Sequence, residues 1–173
     1  MVTYHDVSLY QQTYGNDTHV YSVYMMHRYI HEHRSEVSRE TISIRKFRKW
    51  TMNPIWGNPN TMVSRKRWSI RAILDFPENP DFQYDRGAMM RADLRFPIIV
   101  ALTIFDTYVV MDGNHRLAKS IANERETIDA YIFADRDLMR KFKIGATNAR
   151  TYARARDMTK HDYDQLYDQR FRS

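Results

Sequence analysis

The sequence has no cysteine among its 173 residues, which excludes a disulfide framework, a thiolate metal site, a cysteine nucleophile and iron–sulfur chemistry. Glycine and proline are scarce, five of each, and no Gly/Ser linker, internal repeat or low-complexity tract divides the chain. No apolar run approaches the roughly 20 residues needed to cross a bilayer. The N-terminal MVTYHDVSLYQQTYG also lacks the apolar centre of a signal peptide. These absences predict a soluble, cytoplasmic protein of one domain with no membrane contact.

What is present is enough apolar material for a core, 43% hydrophobic and 13% aromatic residues, far above a disordered composition. The net charge of +6 is unevenly spread. From Arg28 to Arg71 there are eleven Lys/Arg against three Asp/Glu, a balance of +8, and the rest of the chain carries −2. Such a concentration is the footprint of a polyanion binder. Within it, IRKFRKW and SRKRWSIR interleave Arg45, Lys46, Arg48, Lys49, Arg65, Lys66 and Arg67 with Phe47, Trp50 and Trp68. Cations beside rings suit phosphate contact with stacking on unpaired bases, although the rings themselves read first as core. Trp56, in the turn-rich NPIWGNPN, is a further candidate for base or sugar contact.

The local patterns predict an α+β chain. Thr18 is placed to cap a helix through HVYSVYMMHRYIHEHRSEV, where Val20, Val23, Tyr24, His27, Ile30 and His31 recur at helical spacing. ETISI reads as a strand, RKFRKW as a helix start, and Ser64 as the cap of a basic helix through Leu74. Another helical stretch follows near Tyr84 to Arg91. FPIIVALTI and TYVVMDG, separated by Phe105 and Asp106, read as a β-hairpin. A helix (NHRLAKSIANER), a strand (TIDAYIF) and a helix (DRDLMRKFKI) complete a β-β-α-β-α order. Residues 1–39 form a helical extension, 40–144 a small mixed sheet flanked by helices, and 145–173 a polar tail, helical near Asp162 to Arg170. His27, His31 and His33 lack further ligands at convincing spacing, and no metal site is expected.

YVVMDGNHRLAKSI carries the chemistry. Asp112 ends a buried strand, Gly113 turns, and Asn114, His115 and Arg116 open a helix whose first N–H groups and dipole favour an anion. Arg116 adds a bidentate donor. Ideal 100° steps put Leu117, Ala118, Ile121 and Ala122 on the buried face and turn Arg116, Lys119 and Asn123 away from it. Asp75, Glu78, Asp81, Asp85 and Asp93 could each supply an acid from across a cleft, and their spacing selects none.

DGNHRLAKSI, preceded by a hairpin and followed by an apolar strand, resembles the signature of the ParB/sulfiredoxin superfamily, whose members carry a Gly-x-x-Arg or Gly-x-His-Arg turn opening a nucleotide-phosphate-binding helix. The resemblance runs from about Glu40 to Ile144. Its nearest form is the Asp-Gly-x-His-Arg turn of free serine kinases, which implies phosphate contacts for His115 and Arg116 and a reactive-side role for Asp112. Asn114 stands where the reductases of the superfamily hold their cysteine, which excludes that activity. The short polar stretch after Ile144 excludes a complete partition protein.

Together the turn and the local charge predict an enzyme acting on a nucleotide within nucleic acid, DNA rather than RNA. Asp112, Asn114 and His115 would be catalytic, and Gly113, His115, Arg116 and Lys119 would hold phosphate. Metal-independent, glycosylase-like hydrolysis needs no cofactor and is preferred to phosphodiester cleavage. The alternatives are a nucleotide-dependent small-molecule kinase or a nucleotide-gated DNA-binding module, both using ATP or CTP with Mg²⁺.

Overall fold

The computed structural model describes residues 13–15, 19–57, 67–103 and 105–172. It is an α+β protein with small sheets and short helices. The described residues fall into two compact units, one joining the chain up to Ser38 with Phe133 onward, the other spanning Arg39–Ile132. Among the described residues no helix is long and apolar enough to cross a membrane.

In the first unit, β1 (Thr13–Gly15), β2 (His19–Ser22) and β9 (Lys143–Ala146) form an antiparallel sheet in the order β1-β2-β9. Helix α1 (Val23–Glu32) starts four residues later than its periodicity suggests, because His19, Val20 and Tyr21 pair with β9. Ser22 is its cap, accepting from the Met25 N–H. The expected cap Thr18 lies outside the described residues. Helices α5 (Arg136–Lys141), α6 (Ala149–Asp157) and α7 (Lys160–Phe171) complete this unit. The polar tail is therefore more ordered than its composition suggests. Tyr163 and Tyr167 are fully buried, and Tyr29 meets the rings of Phe133, Phe142 and Phe171.

The second unit is built on a four-stranded sheet, β3 (Ser38–Ser43), β6 (Ile98–Leu102), β7 (Tyr108–Asp112) and β8 (Thr127–Phe133), in the order β3-β8-β6-β7. The expected hairpin forms: Val100 faces Val110, and Leu102 faces Tyr108. Its β-branched interior is wholly buried at Ile98, Ile99, Val100 and Val110, at about 1.5–3 kcal/mol for each large side chain removed from water. RKFRKW forms two 3₁₀ turns, Ile44–Phe47 and Trp50–Met52, with Phe47 and Trp50 buried. Of the basic helix expected from Ser64 through Leu74, the described part is strand at β5 (Arg67–Trp68), which pairs with β4 (Trp56–Gly57), and helix only from Ile70, in α2 (Ile70–Asp75). Ser69 caps α2 through the Ala72 N–H; Ser64 lies outside the described residues. Helix α3 (Gln83–Arg91) buries Asp85 and Met89, and α4 (Asn114–Ala122) buries Leu117, Ala118 and Ser120.

The buried face of α4 thus differs from ideal spacing: Ser120 is inside and Ala122 is exposed. Lys119 reaches along α4 to the carbonyls of Met90 and Ala92, both at 2.8 Å.

Candidate functional site

The site begins at Gly113, which links β7 to α4 at φ +98°. Only glycine enters this region freely, and space enforces the same choice. A Cβ there would lie 2.6 Å from Ile98 Cγ2 and 2.9 Å from Nε and Nη2 of Arg116. The guanidinium is therefore folded over the turn, where Nη2 donates to Asp112 Oδ2 at 2.8 Å. Both side chains of this ion pair are largely covered, 18% and 22% exposed. Arg116 Nε is buried and makes no hydrogen bond among the described residues.

No side chain caps α4 at Gly113, and Leu117 donates the first helical bond, to the Gly113 carbonyl at 2.9 Å. The N–H groups of Asn114, His115 and Arg116 precede that bond, at the positive end of the helix dipole.

Asn114 Oδ1 accepts from Trp50 Nε1 at 2.8 Å, which ties the turn to the cationic 3₁₀ segment. Arg45, Lys46, Arg48 and Lys49 are exposed on either side of buried Phe47 and Trp50. The rings are core and the cations face water, with Lys46 Nζ 5.5 Å from the Tyr108 ring centre. Arg67 is exposed beside buried Trp68. Arg65 and Lys66 lie outside the described residues.

His115 is held from two sides. Trp56 stacks on the imidazole, with ring centres 4.6 Å apart and planes 12° apart. Nε2 lies 3.1 Å from Asp85 Oδ1, and Asp85 Oδ2 accepts from Trp68 Nε1 at 2.8 Å. Asp85 is 5% exposed, a carboxylate inside the protein whose two oxygens meet an indole and an imidazole. The sequence offers Asp85 only as one of five acids. The signal that marks it is its place on the buried side of α3, four residues before Met89.

The turn residues Asp112, Gly113, Asn114, His115 and Arg116 are thus gathered with Trp50, Trp56, Trp68 and Asp85. Lys119, expected as a secondary phosphate contact, has two of its three ammonium hydrogens engaged by the end of α3. Nearby, Asp93 is held down at about 2, first by the side-chain bonds of Arg95 and then by its backbone N–H, with the Lys119 charge adding to the effect.

The arrangement offers an uncapped helix terminus, a guanidinium fixed across it, and an imidazole oriented by a buried carboxylate. Such a set can bind an anion and move a proton beside it. Comparison with models of protein families, with curated proteins and with solved structures gives no match to this chain.

Proposed function

We propose that this protein is a nucleic-acid-directed hydrolase that cleaves an N-glycosidic bond in DNA at the Asp112–Arg116 turn, within a ParB/sulfiredoxin-like core. One observation carries the reading: the Trp50–Asn114 hydrogen bond joins the exposed cations of residues 45–49 to the uncapped N-terminus of α4. A polyanion bound along those cations is thereby brought to the turn. The superfamily part of the proposal is supported by the order of hairpin, glycine turn, helix and strand from β6 to β8.

Arg45, Lys46, Arg48 and Lys49 hold the phosphate backbone, and the α4 N–H groups with Arg116 hold the phosphate or sugar of the target nucleotide. Glycosidic cleavage builds positive charge on the sugar, which a nearby carboxylate stabilises. Asp112, oriented by Arg116, supplies it. Asn114 and Trp56 contact the sugar or base, which must leave the stack to reach the turn.

The test is to incubate the purified protein with single- and double-stranded DNA, unmodified and base-modified, with and without ATP or CTP and Mg²⁺. Products are resolved by denaturing gel and mass spectrometry. Released base, and strands that break after alkali without added triphosphate, are the expected result. Directly cut strands would move the reaction to the phosphodiester. ADP with intact DNA would replace the proposal with a kinase, and triphosphate-dependent binding without product would replace it with a gated binding module.

A further inference from the structure

The geometry points to Asp85 as a positioning residue that makes His115 a general base through Nδ1, an inference that rests on the hydrolytic role proposed for the turn. Indole Nε1–H can only donate, so Asp85 Oδ2 is an acceptor in its 2.8 Å bond with Trp68. With Asp85 as the carboxylate, whose oxygens only accept, the second oxygen, 3.1 Å from His115 Nε2, takes the imidazole N–H. A neutral imidazole with its proton on Nε2 carries its lone pair on Nδ1, and Nδ1 makes no hydrogen bond among the described residues.

Two features fix this tautomer and ring plane. Trp56 lies flat on the imidazole, and Asp85 is buried, at 5% exposure, where a hydrogen bond is electrostatically stronger than in water. His115 itself remains 32% exposed, so the anchored ring is within reach of a reactant. Trp68, Asp85 and His115 form a relay of orientation running from the core to the first turn of α4.

In the proposed reaction the base acts on water. The water oxygen bonds to the sugar C1′ while its proton passes to Nδ1, and the electron pair of the breaking C–N bond leaves with the nucleobase. The imidazolium then returns the proton to the departing base, so the sugar gains OH, the base gains H and His115 is regenerated. Asp85 neither gains nor loses a proton.

Asn at position 85 can keep the indole bond through its oxygen while turning its NH₂ toward Nε2. That makes Nε2 the acceptor and moves the imidazole proton to Nδ1, where it blocks the base. Long-range ¹H–¹⁵N spectra of histidine-labelled protein read this directly: the wild type is expected to show His115 protonated on Nε2 at neutral to mildly alkaline pH, and Asp85→Asn on Nδ1. On the DNA substrate, Asp85→Asn should lower kcat by roughly 10²-fold with KM within about twofold, and His115→Gln by about 10²- to 10⁴-fold. Trp68→Phe retains the ring without the donor, and should lower kcat less than Asp85→Asn.

A wild-type His115 protonated on Nδ1 overturns the inference even if DNA is hydrolysed. So does an unchanged kcat in Asp85→Asn that keeps native circular dichroism. Should Asp85→Asn not fold, the wild-type tautomer and the kcat of Trp68→Phe decide. Absence of any DNA product, with the Nε2–H tautomer present, removes the hydrolase reading and leaves the orientation of His115 standing.

Discussion

Where α1 meets α7, cations are answered by carboxylates of the same unit, whereas the cations that precede Trp50 in the other unit have no such answer. Arg28 donates to Glu32, Asp164 and Asp168 at 2.9, 3.0 and 2.6 Å, and lies 4.2 Å from the Tyr167 ring centre. Arg172 adds bonds to Glu32 and Asp168. Burial pulls the Glu32 and Asp164 carboxyls up, but Arg28 and then Arg172 at Glu32, and Lys160 and Tyr24 ahead of Arg28 at Asp164, override it and hold both below the ordinary carboxylate range. By contrast, Arg45, Lys46, Arg48 and Lys49 form no ion pair among the described residues. Charge matched inside a unit stabilises that unit, and charge left unmatched on a surface repels itself until an external anion arrives. Under the proposed function, the first region serves stability and the second serves binding.

Reversing all four cations to Glu gives the largest test of that division. DNA binding is expected to collapse, and its log–log salt slope to flatten by about 0.9 for each phosphate contact removed. The melting temperature should move by at most several degrees, since each is an exposed surface substitution worth roughly 0.5 kcal/mol or less. An unchanged salt slope, measured by fluorescence anisotropy, would sink the polyanion reading.

Gly113→Ala is next. It combines φ +98° with a Cβ 2.6 Å from Ile98, and should cost about 1–3 kcal/mol in urea unfolding. It should also displace Arg116 from Asp112. A stable variant with the ion pair intact would show that the turn tolerates a side chain.

Arg28→Ala should destabilise the protein by about 1 kcal/mol, because it removes a guanidinium shared by three carboxylates and stacked on Tyr167, while Arg172 still pairs Glu32 and Asp168 and Lys160 still pairs Asp164. DNA affinity should stay within about twofold if unit stability and binding are separable. A large loss of affinity with an unchanged urea midpoint would reverse the comparison.

The smallest effect is in the acid limb. Glu32 and Asp164 titrate lower in the folded state than in the unfolded chain, so their stabilisation is present above the ordinary carboxylate value of about 4 and is lost as the pH falls through their folded values. Urea midpoints between pH 7 and pH 3 should drop further in the wild type than in Arg28→Ala. Parallel curves would mean that Arg28 is not what lowers Glu32, since Asp164 is held down chiefly by Lys160 and Tyr24.

The hairpin, α4 and β8 were readable from sequence because their signals are local: β-branched runs, a glycine turn and an apolar face within about thirty residues. The sheet of the other unit was not. His19 to Ser22 carries residues that fit a helical period, and its pairing partner, Lys143 to Ala146, lies more than a hundred positions away. In the site, the contiguous Asp112–Arg116 turn stood out, and Asp85 did not, because its link to His115 spans thirty residues and depends on how α3 packs. The 3₁₀ turns at Ile44–Phe47 and Trp50–Met52 carry the pattern of a single helix, since two anchoring aromatics and intervening cations look alike in either geometry.

All three tryptophans of the chain converge on this one neighbourhood: Trp50 bonded to Asn114, Trp56 stacked on His115 and Trp68 bonded to Asp85. Tryptophan emission, excited selectively over the twelve tyrosines, is consequently a report on the surroundings of this turn. Any ligand that shifts the imidazole or the amide there changes the colour or intensity of that light, so occupancy can be followed without a label and before a product is known.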